Sequence, residues 1–290
     1  EKAKEKALAK AKEAIADGTF KGKLPENVTN VSIDENVASP DLSDDTDVNV
    51  TVKYTVDNVE KTTDVKVPVT VVEGVPQIVP VDENNKQPNP ENSIDKTEYP
   101  EGSTFEYDPK TPVNTTTPGD YTVNVIVKDK EGNPIVEVPA TVRVVESYPQ
   151  FVPVDKDKKQ PNVEGSIDPK AFPKETEFSY ETPVDTTTPG EKDVVVVAKI
   201  GDKVITKVPA KVMVVEPKTQ YVPVDKDNKQ PDASKSIDPE QYPEGTTFEY
   251  KTPVDTTTPG EKDVVVVAKD GEDKLVEVPT KVKVVQGNPQ

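Results

Sequence analysis

The chain repeats itself, and the repeat constrains the fold more than any composition figure does. Gln77-Ile78-Val79-Pro80-Val81-Asp82 returns as Gln150-Phe151-Val152-Pro153-Val154-Asp155 and again as Gln220-Tyr221-Val222-Pro223-Val224-Asp225. The first step is 73 residues and the second is 70, and Gln290 stands a further 70 residues on. Residues 150–219 and 220–289 align without a gap, with 43 identities in 70 positions. A fixed period of this length marks an array of similar structural units rather than one large core. The predicted boundaries are 77–149, 150–219 and 220–290 for three full copies, 24–76 for a shorter divergent unit of similar design, and 1–23 for a helical lead-in or the end of an upstream domain.

The pattern within a copy is that of strands. Val48, Val50, Val52, Tyr54 and Val56 alternate with polar residues, as do Val123, Val125 and Val127. That period of two predicts half-buried β-strands. The Val264–Val267 run predicts a strand buried on both faces, or one that crosses between layers. Thr-Pro-Gly at 117–119, 188–190 and 258–260 predicts a type II turn with glycine at its third position. Pro68, Pro139, Pro209 and Pro279 each interrupt a valine-rich strand and predict an edge or a bulge there. Phe105 and Tyr107, with their repeats Phe178/Tyr180 and Phe248/Tyr250, share one strand face and read as core, as do Tyr99, Phe172 and Tyr242. A glycan-stacking platform would instead need such rings exposed. Residues 1–17 are different: Ala7, Leu8, Ala11, Ala14 and Ile15 fall at helical spacing, with Gly18 as a stop.

Composition sets the chemical limits. There is no Cys, His or Trp, and 36 basic against 54 acidic residues leave a formal charge of −18. That excludes disulfides, thiolate nucleophiles and the ordinary zinc, haem or iron–sulfur site. It argues against nucleic-acid partners and anionic membranes, both of which need a basic footprint. The 32% apolar content is too low for one large core. No stretch reaches the length of a membrane span. The chain opens on charged sequence without a secretory leader and reads as a piece of a longer protein.

Two constellations call for weighing. Asp155 and Asp157, Asp225, Asp227 and Asn228, and Asp82, Glu83, Asn84 and Asn85 have a spacing that calcium loops use. Intruding Lys156, Lys158, Lys226 and Lys229, with no glycine at the sharp turn, favour a polar turn. Lys–Asn isopeptide cross-linking needs a lysine in an apolar core, whereas the lysines here alternate out of the strands. Scattered carboxylates without a cleft give no glycosidase pair. The expectation is therefore no enzyme, no catalytic, cofactor or metal residues, and no cofactor.

The stretch from Tyr242-Pro243-Glu244-Gly245-Thr246-Thr247-Phe248-Glu249-Tyr250 through Thr252-Pro253-Val254-Asp255-Thr256-Thr257-Thr258-Pro259-Gly260 to Val264–Val267, with its ending Glu277-Val278-Pro279-Thr280-Lys281-Val282-Lys283-Val284, resembles the Rib/alpha-like repeats of Gram-positive surface proteins in their longer form. All three copies carry this pattern. Asp270-Gly271 and Ile200-Gly201-Asp202 replace the hairpin usual in that family, and 24–76 lacks the Thr-Pro-Gly turn. The resemblance implies an all-β array of Ig-like β-sandwich modules behind a short N-terminal α-helix. It implies a stalk in an extracellular, cell-wall-anchored adhesin, projecting a distal domain that meets host matrix or glycan. The partners would be neighbouring domains of the same protein. The alternative is that the repeats themselves bind host glycan or protein, or self-associate in biofilm. Short Pro-containing joints are semi-rigid, and Ile78, Phe151 and Tyr221 stand where one module would pack on the next. Modules of this size in series predict a rod of roughly 150 Å.

Overall fold

The computed structural model describes residues 8–9, 11–14, 24, 27–34, 46–69 and 72–286. They fall into two compact units that part between Glu73 and Gly74.

In the first unit, β1 (Thr29–Ile33), β2 (Thr46–Val56) and β3 (Val59–Val69) form an antiparallel sheet in that order. Alternation places Val50 and Val52 fully inside and Tyr54 nearly so. Asp57 and Asn58 join β2 to β3 with φ of 50° and 64°. Two successive positive φ values match the right-handed twist of the flanking strands, and Asp and Asn tolerate them. Residues 8–9 and 11–14 are helical. Leu8, Ala11 and Ala14 pack with Val50, Val52 and Val67 in one cluster. Ala7, Ile15 and Gly18, which complete the predicted helix, lie outside the described residues.

The second unit is one design used three times. In the first copy β4 (Gln77–Pro80), β5 (Thr104–Tyr107), β6 (Gly119–Lys128) and β7 (Pro134–Val145) form a sheet in the order β4-β7-β6-β5. In the second, β8 (Gln150–Pro153), β9 (Glu177–Tyr180), β10 (Gly190–Ile200) and β11 (Lys203–Val215) take the same places. In the third they are β12 (Gln220–Pro223), β13 (Thr247–Tyr250), β14 (Gly260–Asp270) and β15 (Asp273–Val285). Each sheet is built on a long antiparallel hairpin, and the first strand runs parallel to the end of the last, Gln77 opposite Val142 and Pro80 opposite Val145. The expectation of all-β Ig-like modules in tandem is met.

Val123, Val125 and Val127 are fully buried on the inner face of β6. Residues 81–118 close that face with two 3-10 turns, Pro90–Ser93 and Lys96–Glu98, started by Asn89 and Asp95 side chains that accept from the backbone N–H two residues on. Ile94 and Val113 complete the core from this segment. Of the two readings of the valine run, burial on both faces holds: Val264, Val266 and Ala268 are buried on one side and Val267 on the other.

Two local expectations need correction. Gly119, Gly190 and Gly260 do not sit in a type II turn. Each opens a strand with a φ of 151°, 116° and 135°, more extended than that turn requires. The bend lies upstream, where Asn114, Asp185 and Asp255 accept from the N–H of Thr116, Thr187 and Thr257. Pro139, Pro209 and Pro279 lie in interior strands, and the bulges fall elsewhere, at Val127/Lys128 and its repeats. The prolines are tolerated because the flanking first strand begins only at Val142, Val212 and Val282, leaving a local edge at each proline.

Candidate functional site

Each module encloses one polar lock. Ser93 Oγ lies 2.9 Å from the Tyr107 hydroxyl, and each stands 3.0 Å from Gln77 Oε1, so that two hydroxyl protons are shared among three short contacts. Ser166, Tyr180 and Gln150 repeat this, as do Ser236, Tyr250 and Gln220. The lock ties the first strand, a 3-10 turn and the short aromatic strand together. A buried hydroxyl costs about 1–3 kcal/mol when unpaired, so these three side chains specify one another. Burial raises the Tyr107, Tyr180 and Tyr250 phenols, offset in part by the serine hydrogen bond. A second device lies nearby: Gln87 donates to the Val113 carbonyl and accepts from the Val113 N–H at 2.7 and 2.9 Å, as a strand neighbour would. Gln160 and Gln230 do the same for Val184 and Val254.

The acidic loops serve as turn caps. Asp82, Asp155 and Asp225 each accept from the N–H two residues on at 2.8 Å. Asn85 and Asn228, at positive φ, accept from Thr115 and Thr256. Among the described residues no group of three or more acidic side chains gathers to hold a metal ion. Among them, too, no lysine is buried. Lysines instead pair with carboxylates across the outer faces, as Lys128 does with Glu106 and Lys281 with Glu261.

The inward-facing aromatics lead to the feature that distinguishes this array, the joint between modules. Phe172 meets Phe178 edge-on at 5.0 Å, and Tyr242 meets Phe248 at 5.2 Å, both pairs near the hairpin end of their module. Into the first pair's cluster come Ile78 and Val145 of the preceding module, 8% and 3% exposed. The second pair's cluster takes Phe151, Met213 and the fully buried Val215 from the module before it. Phe151 stacks on Tyr242 with centroids 5.5 Å apart and planes 8° from parallel. At the first joint Arg143 grips Asp120 through two bonds of 2.6 and 2.8 Å and donates to the Ala171 carbonyl at 3.1 Å. Backbone bridges from Ser147 to Ile167 and from Pro217 to Ile237 fasten the connecting residues onto the following module. Ile78 and Phe151 thus occupy the packing position that their place in the repeat predicts, while Tyr221 is 66% exposed. The repeated serines and glutamines of the locks had a signal in the sequence, their recurrence in all three copies, but nothing in their spacing says that they meet.

Of the comparisons with known proteins, one identifies the module. No curated protein matches the chain. Among solved structures it resembles the M60 catalytic domain with the CBM51-1 and CBM51-2 domains from Clostridium perfringens ZmpB, at 12% identity and a TM-score of 0.30, covering 91% of this chain and 40% of that one. Drosophila N-cadherin EC1-3 overlaps 73% of this chain and 98% of its own at 9% identity and a TM-score of 0.18. Surface layer protein SbsC, domains 4–9, overlaps 81% of this chain and 53% of its own at 12% identity and a TM-score of 0.17. Structural likeness at TM-scores this low carries no argument. The Rib domain pattern, by contrast, matches three times in series, at residues 73–146, 148–216 and 214–285. Most of the chain is thereby accounted for, and it belongs to the Rib domain family.

Proposed function

We propose that this chain is a spacer within a bacterial surface adhesin, anchored to a Gram-positive cell wall through other regions and holding a distal binding domain away from it. Rib repeats are typical of extracellular surface proteins. Among the described residues no helix is long and apolar enough to cross a membrane. The observation that carries the reading is the closure of both joints by apolar side chains, Ile78 and Val145 at one and Phe151 and Val215 at the other. Joints filled with side chains resist bending, and a spacer keeps its reach only if its joints resist bending. The proposal assigns the chain no catalytic step and no cofactor.

Small-angle scattering on the chain tests this. A stiff, elongated particle whose flexibility rises when Val145 and Val215 are both replaced by aspartate supports the spacer. A collapsed or freely jointed particle in the unaltered protein overturns it. Specific capture of the chain on an array of host glycans or matrix proteins, lost on mutating one surface patch, would favour the repeats as the adhesive element instead.

A further inference from the structure

The linkers at the two joints share a backbone and differ in one exposed side chain. Tyr148 and Lys218 stand 70 residues apart, and their N–H groups donate to the Ser166 and Ser236 carbonyls at 2.9 and 2.8 Å. At the second joint the Lys218 ammonium lies 3.2 Å from the Asp238 carboxylate. At the first joint Asp168 stands where Asp238 does, and among the described residues no ammonium pairs with it. Lys170 gives it a backbone N–H at 3.0 Å and forms no ion pair. Arg143 directs its donors to Asp120 and the Ala171 carbonyl. Tyr148, 42% exposed, takes the place of the lysine, and its hydroxyl donates to Glu146 at 3.1 Å. The phenol is raised chiefly by that bond, and in smaller part by burial and by the charges of Glu146 and Asp168. Tyr148, Glu146, Asp168, Lys170 and Pro118 line one groove of about 460 Å³.

We propose that this groove binds the ammonium of a lysine side chain presented by a basic polypeptide segment. The second joint supplies the template: the same carboxylate position accepts a lysine ammonium there, delivered by the chain itself. At the first joint the chain delivers an aromatic ring instead, and the ammonium must come from outside. A tyrosine face attracts a cation through its ring quadrupole, and Asp168 and Glu146 add the opposite charge beside it. The chain's formal charge of −18 draws a basic segment towards the surface. The second joint offers no such site, because Lys218 already occupies it. The assignment goes beyond the spacer reading and does not depend on it.

The test titrates the full chain, its tyrosine rings labelled with carbon-13, with an acetylated and amidated Gly-Lys-Gly peptide, and follows the ring signals by NMR. The control peptide carries norleucine, which keeps the aliphatic stem and lacks the ammonium. The Tyr148 ring is expected to shift saturably with the lysine peptide and not with the norleucine one. Tyr148→Lys, which restores the arrangement of Lys218, is expected to abolish binding in a folded chain. Asp168→Asn, which keeps an acceptor for the Lys170 N–H, is expected to lose the saturable shift. Lys218→Tyr is expected to create a second responsive ring. An equal response to both peptides, or an unchanged response in Asp168→Asn, overturns the proposal. Equal affinity for ethanolamine overturns the polypeptide as occupant in favour of a small amine.

Discussion

The two covered joints share a backbone register and differ in chemistry. At the first, an aliphatic side chain, Ile78, enters a cluster headed by Phe172, and Arg143 spans the boundary with a bidentate carboxylate pair and a carbonyl. At the second, Phe151 lies flat on Tyr242 and Met213 fills the place of Arg143. Both joints are edged by a polar contact, Arg143 to the Ala171 carbonyl at the first and the Glu216 N–H to Gln241 Oε1 at the second, and both close around a buried valine, Val145 or Val215. The module fixes where the contact falls, and the side chains at that contact are free to differ as long as ring and partner match in size.

The largest effect should come from breaking what the joints have in common. Val145→Asp or Val215→Asp buries an unpaired charge and should cost about 3 kcal/mol or more. Urea denaturation should show it, with scattering reporting a loosened joint in each case. Next is the part that differs. Phe151→Ala should cost about 2 kcal/mol through lost stacking and packing, and Phe151→Ile, which imports the first joint's chemistry, should recover part of it. Full recovery of stability in Phe151→Ile would mean that the flat stack contributes nothing beyond its bulk. Tyr242→Phe should instead stabilise the second joint by about 1 kcal/mol, because the Tyr242 hydroxyl is buried without a hydrogen-bond partner and Phe172 fills the same place without one. Burial pushes that phenol up, and nearby Asp238 adds to the shift. Thermal unfolding of the variant measures it.

The smallest effect concerns the turns that lead into the long hairpins. Thr187 and Thr188 hydrogen bonds hold Asp185 well below its usual range, and Thr257, Thr258 and Lys262 do the same for Asp255. Their carboxylates are more acidic folded than unfolded, so the stabilisation is present at neutral pH and fades as pH falls below the ordinary value of 3.8. The first module makes the same turn with Asn114, which cannot titrate. Asp255→Asn should therefore leave stability at pH 7 nearly unchanged and reduce its loss on acidification, as followed by circular dichroism between pH 5 and pH 2. An identical acid profile for the two proteins would remove the turn from the account.

Much of this was legible in the chain. Period-two valines gave the strands, repetition gave the modules, and the recurring Phe-x-Tyr pairs gave the inner face. The position of Ile78 and Phe151 in the repeat was enough to place them at the joints. Proline and glycine are strong local signals and make Thr-Pro-Gly read as a turn, whereas the Asx turn the chain uses depends on Asn114, Asp185 and Asp255 accepting from the N–H two residues ahead. The strand prolines were placed at an edge correctly only in a local sense, since nothing in the sequence shows that β4 stops short of Pro139. The Ser–Tyr–Gln locks were invisible for a different reason. Their members are 14 to 30 residues apart, and only the three-dimensional fold brings them together.

The parallel pairing of each module's first and last strands also sets how the array answers tension. Pulling on a module draws Gln77–Pro80 one way and Val142–Val145 the other, along the direction of the strands themselves. The rungs between them are then loaded together in shear, rather than opened one at a time as in an antiparallel zipper. Under tension along the array each module would therefore hold its length until its rungs gave way together.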